Sequence, residues 1–282
     1  MNKIPFTKMH GNGNDFILID EFEKELVSDQ NKADFSYRFC DRHFGIGSDG
    51  VLFLSKSNRT DLADIKMRLF QPDRSEAEMC GNGICCLVKY ACDKKYALSG
   101  SVTVDTMAGI LTVKVRKNDK NGKIFINVNM GKVRFDRKDI PAKGNGTFIE
   151  EDMHGYKVSA VNTGVPHSVI FVDNLDIPLK EIAQKIRFDP VFPAGSNVNL
   201  VHVKNNSLRI RTYERGVEEE TLSCGTGSVA SAVIARRLGK IKCEEAEKIL
   251  VKTNGGSLYI SEENDCVYME STAKTVYNGI IE

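Results

Sequence analysis

Two cysteines lie in matching contexts that favour acid–base chemistry. Cys80, in SEAEMCGNGICCLVKYA, and Cys224, in EEETLSCGTGSVASAVIARRLG, each directly precede a Gly-x-Gly and then a stretch with helical character. Glycines at a helix start let the backbone approach a ligand, and the free N–H groups and the helix dipole attract negative charge. A thiol there is expected to have a lowered pKa. Two such thiols predict a matched pair of acid and base groups.

A plainer interpretation of either motif is a helix start with glycines and a buried cysteine. The occurrence of the motif twice in one chain favours the acid–base pair instead. In the second motif, apolar residues recur at helical spacing. These residues are Val229, Val233, Ile234 and Leu238.

Length and charge restrict the class of protein. A chain of 282 residues favours two domains. A formal net charge of +1 gives no reason to propose nucleic acid or an anionic membrane as a partner. No apolar run is long enough to span a membrane, and MNKIPFTKMHG lacks the apolar core of a signal peptide. We therefore expect a cytoplasmic protein that acts on a small molecule. A homodimer is a separate expectation, which length and charge do not establish.

The eight cysteines do not suggest disulfides or zinc. A chain of this length has no need of a disulfide framework. The cysteines near Cys80 are not spaced as paired C-x-x-C, and no histidine completes a ligand set, so we predict no metal site. Cys85, Cys86 and Cys92 are interpreted as core or helix-surface thiols. The full set is Cys40, Cys80, Cys85, Cys86, Cys92, Cys224, Cys243 and Cys266.

The order of predicted elements runs twice along the chain. KMHGNGNDFILID matches SAVNTGVPHSVIFVD, GIGSDGVLFL matches PAGSNVNLVHV, and IKMRLFQPDRSEAEMCGNG matches LRIRTYERGVEEETLSCGTG. The last pair places Glu214 near the position of Gln71. Cys80 and Cys224 are 144 residues apart, about half the chain. This indicates an internal duplication of one α/β unit, with the polar segment 133–155 as the boundary zone.

Local signals fill in the remaining elements. Leu26, Phe35 and Phe39 have helical spacing within 21–41, and a helix is predicted over 177–188, beginning after Pro178. Antiparallel strands are predicted across turns at 108–109 and near Asn121-Gly122, and three further strands over 248–253, 257–261 and 266–270.

Two similar lobes that face each other would present Cys80 and Cys224 to opposite faces of a small ligand. One thiolate would remove a proton from carbon and the other thiol would return one, which inverts a stereocentre. In an amino acid the resulting carbanion delocalises into the α-carboxylate. The amides of two helix N-termini would stabilise that charge, as in an oxyanion hole.

Several polar residues fit this chemistry and also have plainer explanations. Arg215 binds a carboxylate as a fork or pairs with Glu218 at the surface. One interpretation is that His167 and Glu214 tune the pKa of the thiols. The plainer explanation of His167 is a histidine at a strand end that bonds to backbone. Asparagines such as Asn14 and Asn197, and the Gln71–Pro72 pair, also occur in ordinary turns.

The motifs KMHGNGNDF, RHFGIGSDG, SEAEMCGNG, VPHSV, SNVN, YERG and SCGTG, in this order, resemble the diaminopimelate epimerase family over nearly the whole chain. The resemblance implies a cofactor-free, two-base epimerase that converts L,L- to meso-2,6-diaminopimelate in lysine synthesis. It implies Cys80 and Cys224 as the catalytic pair, with His167 and Glu214 modulating them. The implied ligand-binding residues are Asn14, Gln71, Gly81, Asn82, Asn197, Glu214, Arg215, Gly225 and Thr226.

The fold class expected is α/β (α+β). It comprises two pseudo-symmetric lobes, each a mixed, largely antiparallel sheet wrapped around a central helix, with the active site in the cleft between them. The first lobe, 1–131 plus 272–282, carries Cys80, and the second, 132–271, carries Cys224. The resemblance also implies that the last residues return to the first lobe.

Four positions depart from the family pattern. Gln71 stands where many members have asparagine, and Arg74 where many have glycine. Val165 replaces an asparagine that binds substrate in many members, with Asn162 as the candidate substitute, and Gly50 has no side chain where some members use glutamine. These departures concern recognition of the substrate's distal end.

Two other classes of protein compete with this assignment. The first is a two-thiol racemase of the same fold that acts on histidine or a proline derivative. The second is a thiol-rich binding or redox protein. A pyridoxal-phosphate racemase is disfavoured because no motif singles out a lysine.

Overall fold

The computed structural model describes residues 3–98, 100–118, 122–242, 244 and 246–282. The chain divides into two compact units, Met1–Val128 with Glu270–Glu282, and Asn129–Met269. The segment 133–155, predicted to be a boundary zone, belongs to the second unit. The expectations for Asn121 and Cys243 lie outside the described residues.

Among its described residues, the first unit contains two α-helices and eight strands before the chain enters the second unit. A 3₁₀ turn, Asp29–Asn31, precedes the first helix. The elements are β1 (Ile4–Gly11), β2 (Asn14–Asp20), α1 (Lys32–Cys40), β3 (Gly50–Ser55), β4 (Ile65–Phe70), β5 (Glu76–Ala77), α2 (Gly81–Asp93), β6 (Gly100–Thr106), β7 (Gly109–Lys117) and β8 (Ile124–Asn129).

The second unit repeats this alternation, and a last strand follows it. The elements are β9 (Phe148–Met153), β10 (Tyr156–Asn162), β11 (Pro166–Phe171), α3 (Leu179–Arg187), β12 (Asn197–Lys204), β13 (Ser207–Glu214), β14 (Glu219–Thr221), α4 (Gly225–Arg237), β15 (Ile249–Lys252), β16 (Ser257–Glu263), β17 (Cys266–Ser271) and β18 (Ala273–Ile281).

Strand pairing confirms the internal duplication. In the first unit, β2 pairs antiparallel with β1 and parallel with β3. Strand β4 then pairs antiparallel with β3 and β5 and parallel with β6, which pairs antiparallel with β7. In the second unit, β10 to β16 have the same order and directions. The mixed, largely antiparallel sheet predicted for each lobe is therefore confirmed.

Each sheet packs around the helix that follows a cysteine motif. The residues from Ile84 to Val88 in α2 are fully buried, and so are Val229, Ala230, Ala232, Ile234 and Ala235 in α4. A helix that is apolar on most of its circumference must be surrounded by other elements, so α2 and α4 are the central helices that the sequence predicts. No helix within the described ranges combines the length and apolarity needed to cross a membrane.

Most other local predictions agree with the structure to within a few residues, but the helical spacing within 21–41 gives an α-helix only over Lys32–Cys40, so Leu26 lies outside it. Helix α3 begins directly after Pro178, which precedes it in a non-helical conformation. SAVN is part of strand β10, not a loop, because its backbone pairs with β9 and β11. Strand β18 pairs antiparallel with β1, so the last residues do return to the first unit.

Candidate active site

Each of the two cysteines is the residue that directly precedes a central helix. Cys80 and Cys224 have extended backbones, with φ and ψ of −143° and 120° and of −120° and 115°. Each Sγ accepts a hydrogen bond, 3.4 Å long, from the third helical residue, Gly83 or Gly227. The thiols thus cap the helices, while Gly81 and Gly225 start them. The motif forms the same local structure twice, as its sequence predicts.

Gly227 is required by close packing beneath α4. A Cβ at this position would lie 2.4 Å from Asn199 Oδ1 and 3.3 Å from His167 Cε1. At Gly83, in the first unit, a Cβ would lie 3.3 Å from Leu52 Cδ2. In both units the glycine lets the helix start approach the strands that pair beneath it.

Around Cys80, an asparagine accepts hydrogen bonds from two groups of the motif. Asn14 Oδ1 is 3.7 Å from Cys80 Sγ and 3.5 Å from Asn82 Nδ2. Its amide nitrogen donates to Asp49 Oδ2 at 2.7 Å, and Asp49 also pairs with Arg42. Asp49, which no sequence motif singles out, fixes the orientation of the Asn14 amide so that its oxygen faces the thiol.

Cys224 is buried, and the prediction of a lowered pKa is wrong for this thiol. Burial raises its pKa well above the usual range, and the negative charge of Glu214 raises it further. Hydrogen bonds from Thr226 and Gly227 oppose this shift but do not reverse it. The sequence shows the helix start, whose dipole lowers a thiol pKa, but not the desolvation that outweighs it. Cys224 is therefore a protonated thiol at neutral pH.

Glu214 ends strand β13 beside this thiol. Its carboxylate accepts a hydrogen bond from Thr221 Oγ1 at 2.6 Å and interacts with the Cys224 thiol. A carboxylate next to a thiol favours the protonated sulfur, both through its charge and as an acceptor for S–H. Of the two residues predicted to tune the thiols, Glu214 thus acts on Cys224 directly.

His167 is fully buried and bonded to side chains rather than to backbone. Its Nε2 is 2.9 Å from Thr226 Oγ1, and its Nδ1 is 3.2 Å from Asn199 Nδ2. Burial lowers the pKa of His167 to about 3, and the positive charge of Arg215 contributes in the same direction. The imidazole is therefore neutral, and it reaches Cys224 through Thr226.

Arg215 does not form the surface pair with Glu218 that the sequence allows. Glu218 instead pairs with Arg187 at 2.8 Å. The guanidinium of Arg215 donates to the carbonyl of Ala194 at 3.1 Å, and its backbone N–H donates to Asn197 Oδ1 at 2.8 Å. No ion pair of Arg215 appears among the described residues, so its charge is available to an anionic ligand.

In the second unit, two asparagine side-chain amides each donate one hydrogen bond to a backbone carbonyl of the protein. Asn197 Nδ2 donates to the carbonyl of Pro166 at 2.9 Å. Asn162, the candidate substitute for the side chain missing at Val165, donates to the carbonyl of Asp139 at 2.6 Å. Each amide retains one N–H, so Asn197 and Asn162 position loops and keep limited capacity for a ligand.

The departures in the first unit have packing explanations. Gly50 is buried, and a Cβ there would lie 2.9 Å from Leu69 Cδ1, which leaves no room for a longer side chain. Arg74 has φ of 74°, a region that favours glycine. Its guanidinium pairs with Asp34 at 2.7 Å and lies 3.6 Å from the centre of the Tyr37 ring, contacts that offset this strain.

Gln71 is exposed in the turn between β4 and β5. Its Nε2 donates to Ser75 Oγ at 3.1 Å, and its backbone N–H donates to the Ser75 carbonyl at 2.8 Å. The residue therefore closes this turn.

The fold places the chain in a class of proteins built from two duplicated α/β units. The chain shares its fold with a phenazine biosynthesis protein of the PhzF family from Bacillus anthracis, at a TM-score of 0.75 and 17% identity over 100% of both chains. This level of identity establishes the fold alone.

Sequence comparison then gives the family. The diaminopimelate epimerase profile matches residues 6–135 and 159–276. A diaminopimelate epimerase from Methanocella arvoryzae is 56% identical over 284 residues, covering 100% of this chain and 98% of that protein. One from Methanothrix thermoacetophila is 54% identical over 281 residues, covering 100% and 97%. The chain belongs to the diaminopimelate epimerase family.

Proposed function

We propose that this protein interconverts L,L- and meso-2,6-diaminopimelate in the route to lysine, with Cys80 and Cys224 as its acid–base pair. The observation that carries the proposal is that both thiols cap the glycine-rich starts of the two central helices. Membership of the family supplies the substrate. No group other than the two thiols is needed to move the proton.

The protonation of Cys224 suggests how the two thiols divide the work. Burial and Glu214 favour the thiol form of Cys224, so this residue starts as the acid that supplies a proton to Cα. In the direction of reaction in which Cys224 is the acid, Cys80 is the thiolate that removes a proton from Cα. In the reverse direction the roles exchange, as microscopic reversibility requires.

The helix starts stabilise the intermediate in this proposal. Deprotonation at Cα places a second negative charge on the α-carboxylate. Backbone N–H groups at the two helix starts would donate hydrogen bonds to this charge. They belong to Gly81 and Asn82 in α2 and to Gly225 and Thr226 in α4. The loss of one donor of this kind typically costs on the order of two to three powers of ten in rate.

The charged and amide groups near the helices would hold the rest of the substrate. Arg215 offers a bidentate fork to a carboxylate, and Asn14, Asn197 and Gln71 offer amides to its polar groups. A site built to bind such groups rejects analogues that lack them by about four to five powers of ten. The missing donor at Val165 should cost about 1–3 kcal/mol, too little to abolish recognition.

Substrate preference tests this assignment. We expect kcat/KM for diaminopimelate to exceed that for histidine, lysine and 4-hydroxyproline, because only diaminopimelate supplies an amino-acid group at both ends. Chiral chromatography of each reaction measures the four values, and L,L- and meso-diaminopimelate should interconvert while the D,D-isomer does not react. A larger kcat/KM for any of the other three amino acids would identify the protein as a different two-thiol racemase of this fold.

The pH dependence of Glu214→Gln tests the assigned role of this carboxylate. Glu214 raises the pKa of Cys224, so its neutralisation should lower that pKa. The alkaline limb of the pH–rate profile, where Cys224 loses its proton, should then move to lower pH. The maximal rate should also fall, because S–H loses its charged acceptor.

Glu219→Gln is the matched control, since Glu219 lies on the neighbouring strand and pairs with the exposed Lys180. It removes the same charge from a carboxylate that is not among the groups shifting the pKa of Cys224, so it should leave the profile in place. An unshifted profile in Glu214→Gln would reduce Glu214 to a binding or structural role.

We further propose that the enzyme works in the cytoplasm as a homodimer. The cysteines among the described residues are free thiols, which suits a reducing compartment. Val276, Tyr277 and Ile280 on β18 are apolar and exposed, which suits a surface covered by a second copy.

A further inference from the structure

A chain of buried side chains lies beneath α4 and ends at Cys224. Asn199, in the middle of β12, is fully buried. Its Nδ2 donates to the carbonyl of Ser168 at 2.9 Å and is 3.2 Å from His167 Nδ1. Its Oδ1 accepts from Thr212 Oγ1 at 3.0 Å. A carbonyl can only accept, so the Ser168 carbonyl fixes which end of the Asn199 amide carries the hydrogens, and the Thr212 hydroxyl then donates to the other end.

The orientation of the amide fixes the proton on His167. One N–H of Asn199 bonds the Ser168 carbonyl, and the other points at His167 Nδ1, which must therefore accept. A neutral imidazole that accepts at Nδ1 carries its proton on Nε2. Nε2–H then donates to Thr226 Oγ1, 2.9 Å away.

The tautomer in turn directs the Thr226 hydroxyl. Because Oγ1 already accepts from His167, its own hydrogen is free to point at Cys224 Sγ, 3.3 Å away. The backbone of Thr226 is also held, since its carbonyl accepts from Thr163 Oγ1 at 3.1 Å. Hydrogen bonds to a charged acceptor are the stronger ones, so this donor favours the thiolate of Cys224.

The first unit shows that the fold does not require these polar groups. By strand register, Phe16 and Leu52 take the places of His167 and Asn199, because Phe16 pairs with Gly50 as His167 pairs with Asn197. Likewise, Leu69 pairs with Leu52 as Thr212 pairs with Asn199. The first unit packs three apolar residues where the second buries a hydrogen-bonded network.

We propose that Asn199, held by Thr212, is a positioning residue that sets the Nε2–H tautomer of His167 and thereby aims the Thr226 hydroxyl at Cys224. The network gives Cys224 a partner for its thiolate form, while Glu214 serves its thiol form. Cys224 can then act as acid in one direction and base in the other. The kinetic consequence rests on the proposed function; the tautomer does not.

The charged and titratable groups around Cys224 are few. Glu214 faces it from β13, His167 lies beneath it on β11, and Arg215 contributes a positive charge felt at His167. In the wild-type protein His167 is neutral at neutral pH, so its tautomer, not its charge, is the variable there.

Nitrogen-15 NMR of the imidazole tests the tautomer without substrate. In the wild-type protein between about pH 6 and 9, Nε2 of His167 should be protonated and Nδ1 unprotonated. Asn199→Asp is nearly isosteric, but its carboxylate can only accept, so Nδ1 of His167 should become protonated. A wild-type proton on Nδ1, or the same tautomer in both proteins, would overturn the proposal.

Kinetics test the consequence. Asn199→Asp should lower kcat about tenfold, leave KM within about twofold, and move the alkaline limb of the pH–rate profile upward, because Cys224 loses a donor to its thiolate. Thr212→Val, which adds no charge, should shift the limb in the same direction by less. Asn206→Asp, in the exposed turn after β12, is the matched control and should change nothing.

The outcomes separate the two hypotheses. If the wild-type protein shows the Nε2–H tautomer but does not turn over diaminopimelate, the proposed function fails and the tautomer assignment stands. If Asn199→Asp and Thr212→Val lose activity only in proportion to folded protein measured by circular dichroism, with an unshifted profile, Asn199 is merely structural. Should Asn199→Asp not fold, Thr212→Val alone decides, and an unshifted profile in that variant contradicts the proposal.

Discussion

Cys80→Ser and Cys224→Ser should each lower kcat for diaminopimelate epimerisation by about two to four powers of ten, the usual contribution of a positioned acid or base. A serine hydroxyl is too weak an acid to form the base without an activator of its own. Each variant removes only one member of the pair, yet inversion needs both, so the two losses should be similar. Chiral chromatography of the product measures them.

Cys92→Ser is the matched control for these variants. Cys92 lies on α2, in the same helix that Cys80 caps, but in its last turn and half-buried. Its replacement removes a thiol from the same unit without touching the helix start, so activity should stay near the wild-type value. Near-wild-type activity in either Cys80→Ser or Cys224→Ser would refute the two-thiol assignment.

Arg215→Lys should lower kcat/KM by about 10- to 100-fold, the equivalent of one charged hydrogen bond. Lysine keeps the positive charge but cannot form the bidentate fork with a carboxylate. The effect should appear because Arg215 pairs with no carboxylate among the described residues and bonds only the Ala194 and Gly195 carbonyls through its side chain.

Arg187→Lys makes the same exchange at an arginine with a structural partner. Arg187 pairs with Glu218, the residue that the sequence offered as an alternative partner for Arg215. A lysine at 187 keeps the positive charge beside Glu218, and Arg187 is not among the proposed ligand-binding residues, so kcat/KM should change by less than about threefold. Equal effects of the two exchanges would show that Arg215 has no special role in binding substrate.

The internal duplication of the fold could be predicted because it is encoded by local sequence patterns. Glycine spacing, helical periodicity after each cysteine and alternating strands depend on neighbours in sequence, and they predicted α2, α4 and most strands. The same applies to the motifs that identify the family. Structural features that depend only on residues close together in the chain could therefore be predicted from the sequence.

The pKa of Cys224 and the positioning residues could not be predicted in this way. The thiol was expected to be acidic from its helix start, but β-strands far along the chain bury it and bring Glu214 beside it. Asn199 carried one signal that was overlooked. In NVNLV it lies two residues after Asn197, so both side chains of an otherwise apolar strand point to one face.

Asp49 shows the same limit from the other unit. Nothing in GIGSDG distinguishes its aspartate from a turn residue. Only the parallel pairing of β2 with β3 brings Asp49 to Asn14 and makes it the partner that orients this amide.

The position of deuterium after a single turnover tests the two-thiol mechanism most directly. The protein is incubated with L,L-diaminopimelate in D2O, and recovered substrate and meso product are separated early and analysed by mass spectrometry. Two thiols predict one deuteron at the inverted Cα of the product and none in the unreacted substrate, because one thiol removes protium and the other returns deuterium. Deuterium appearing equally in substrate and product, or product that retains protium, would mean that a single base serves both faces and would contradict the account.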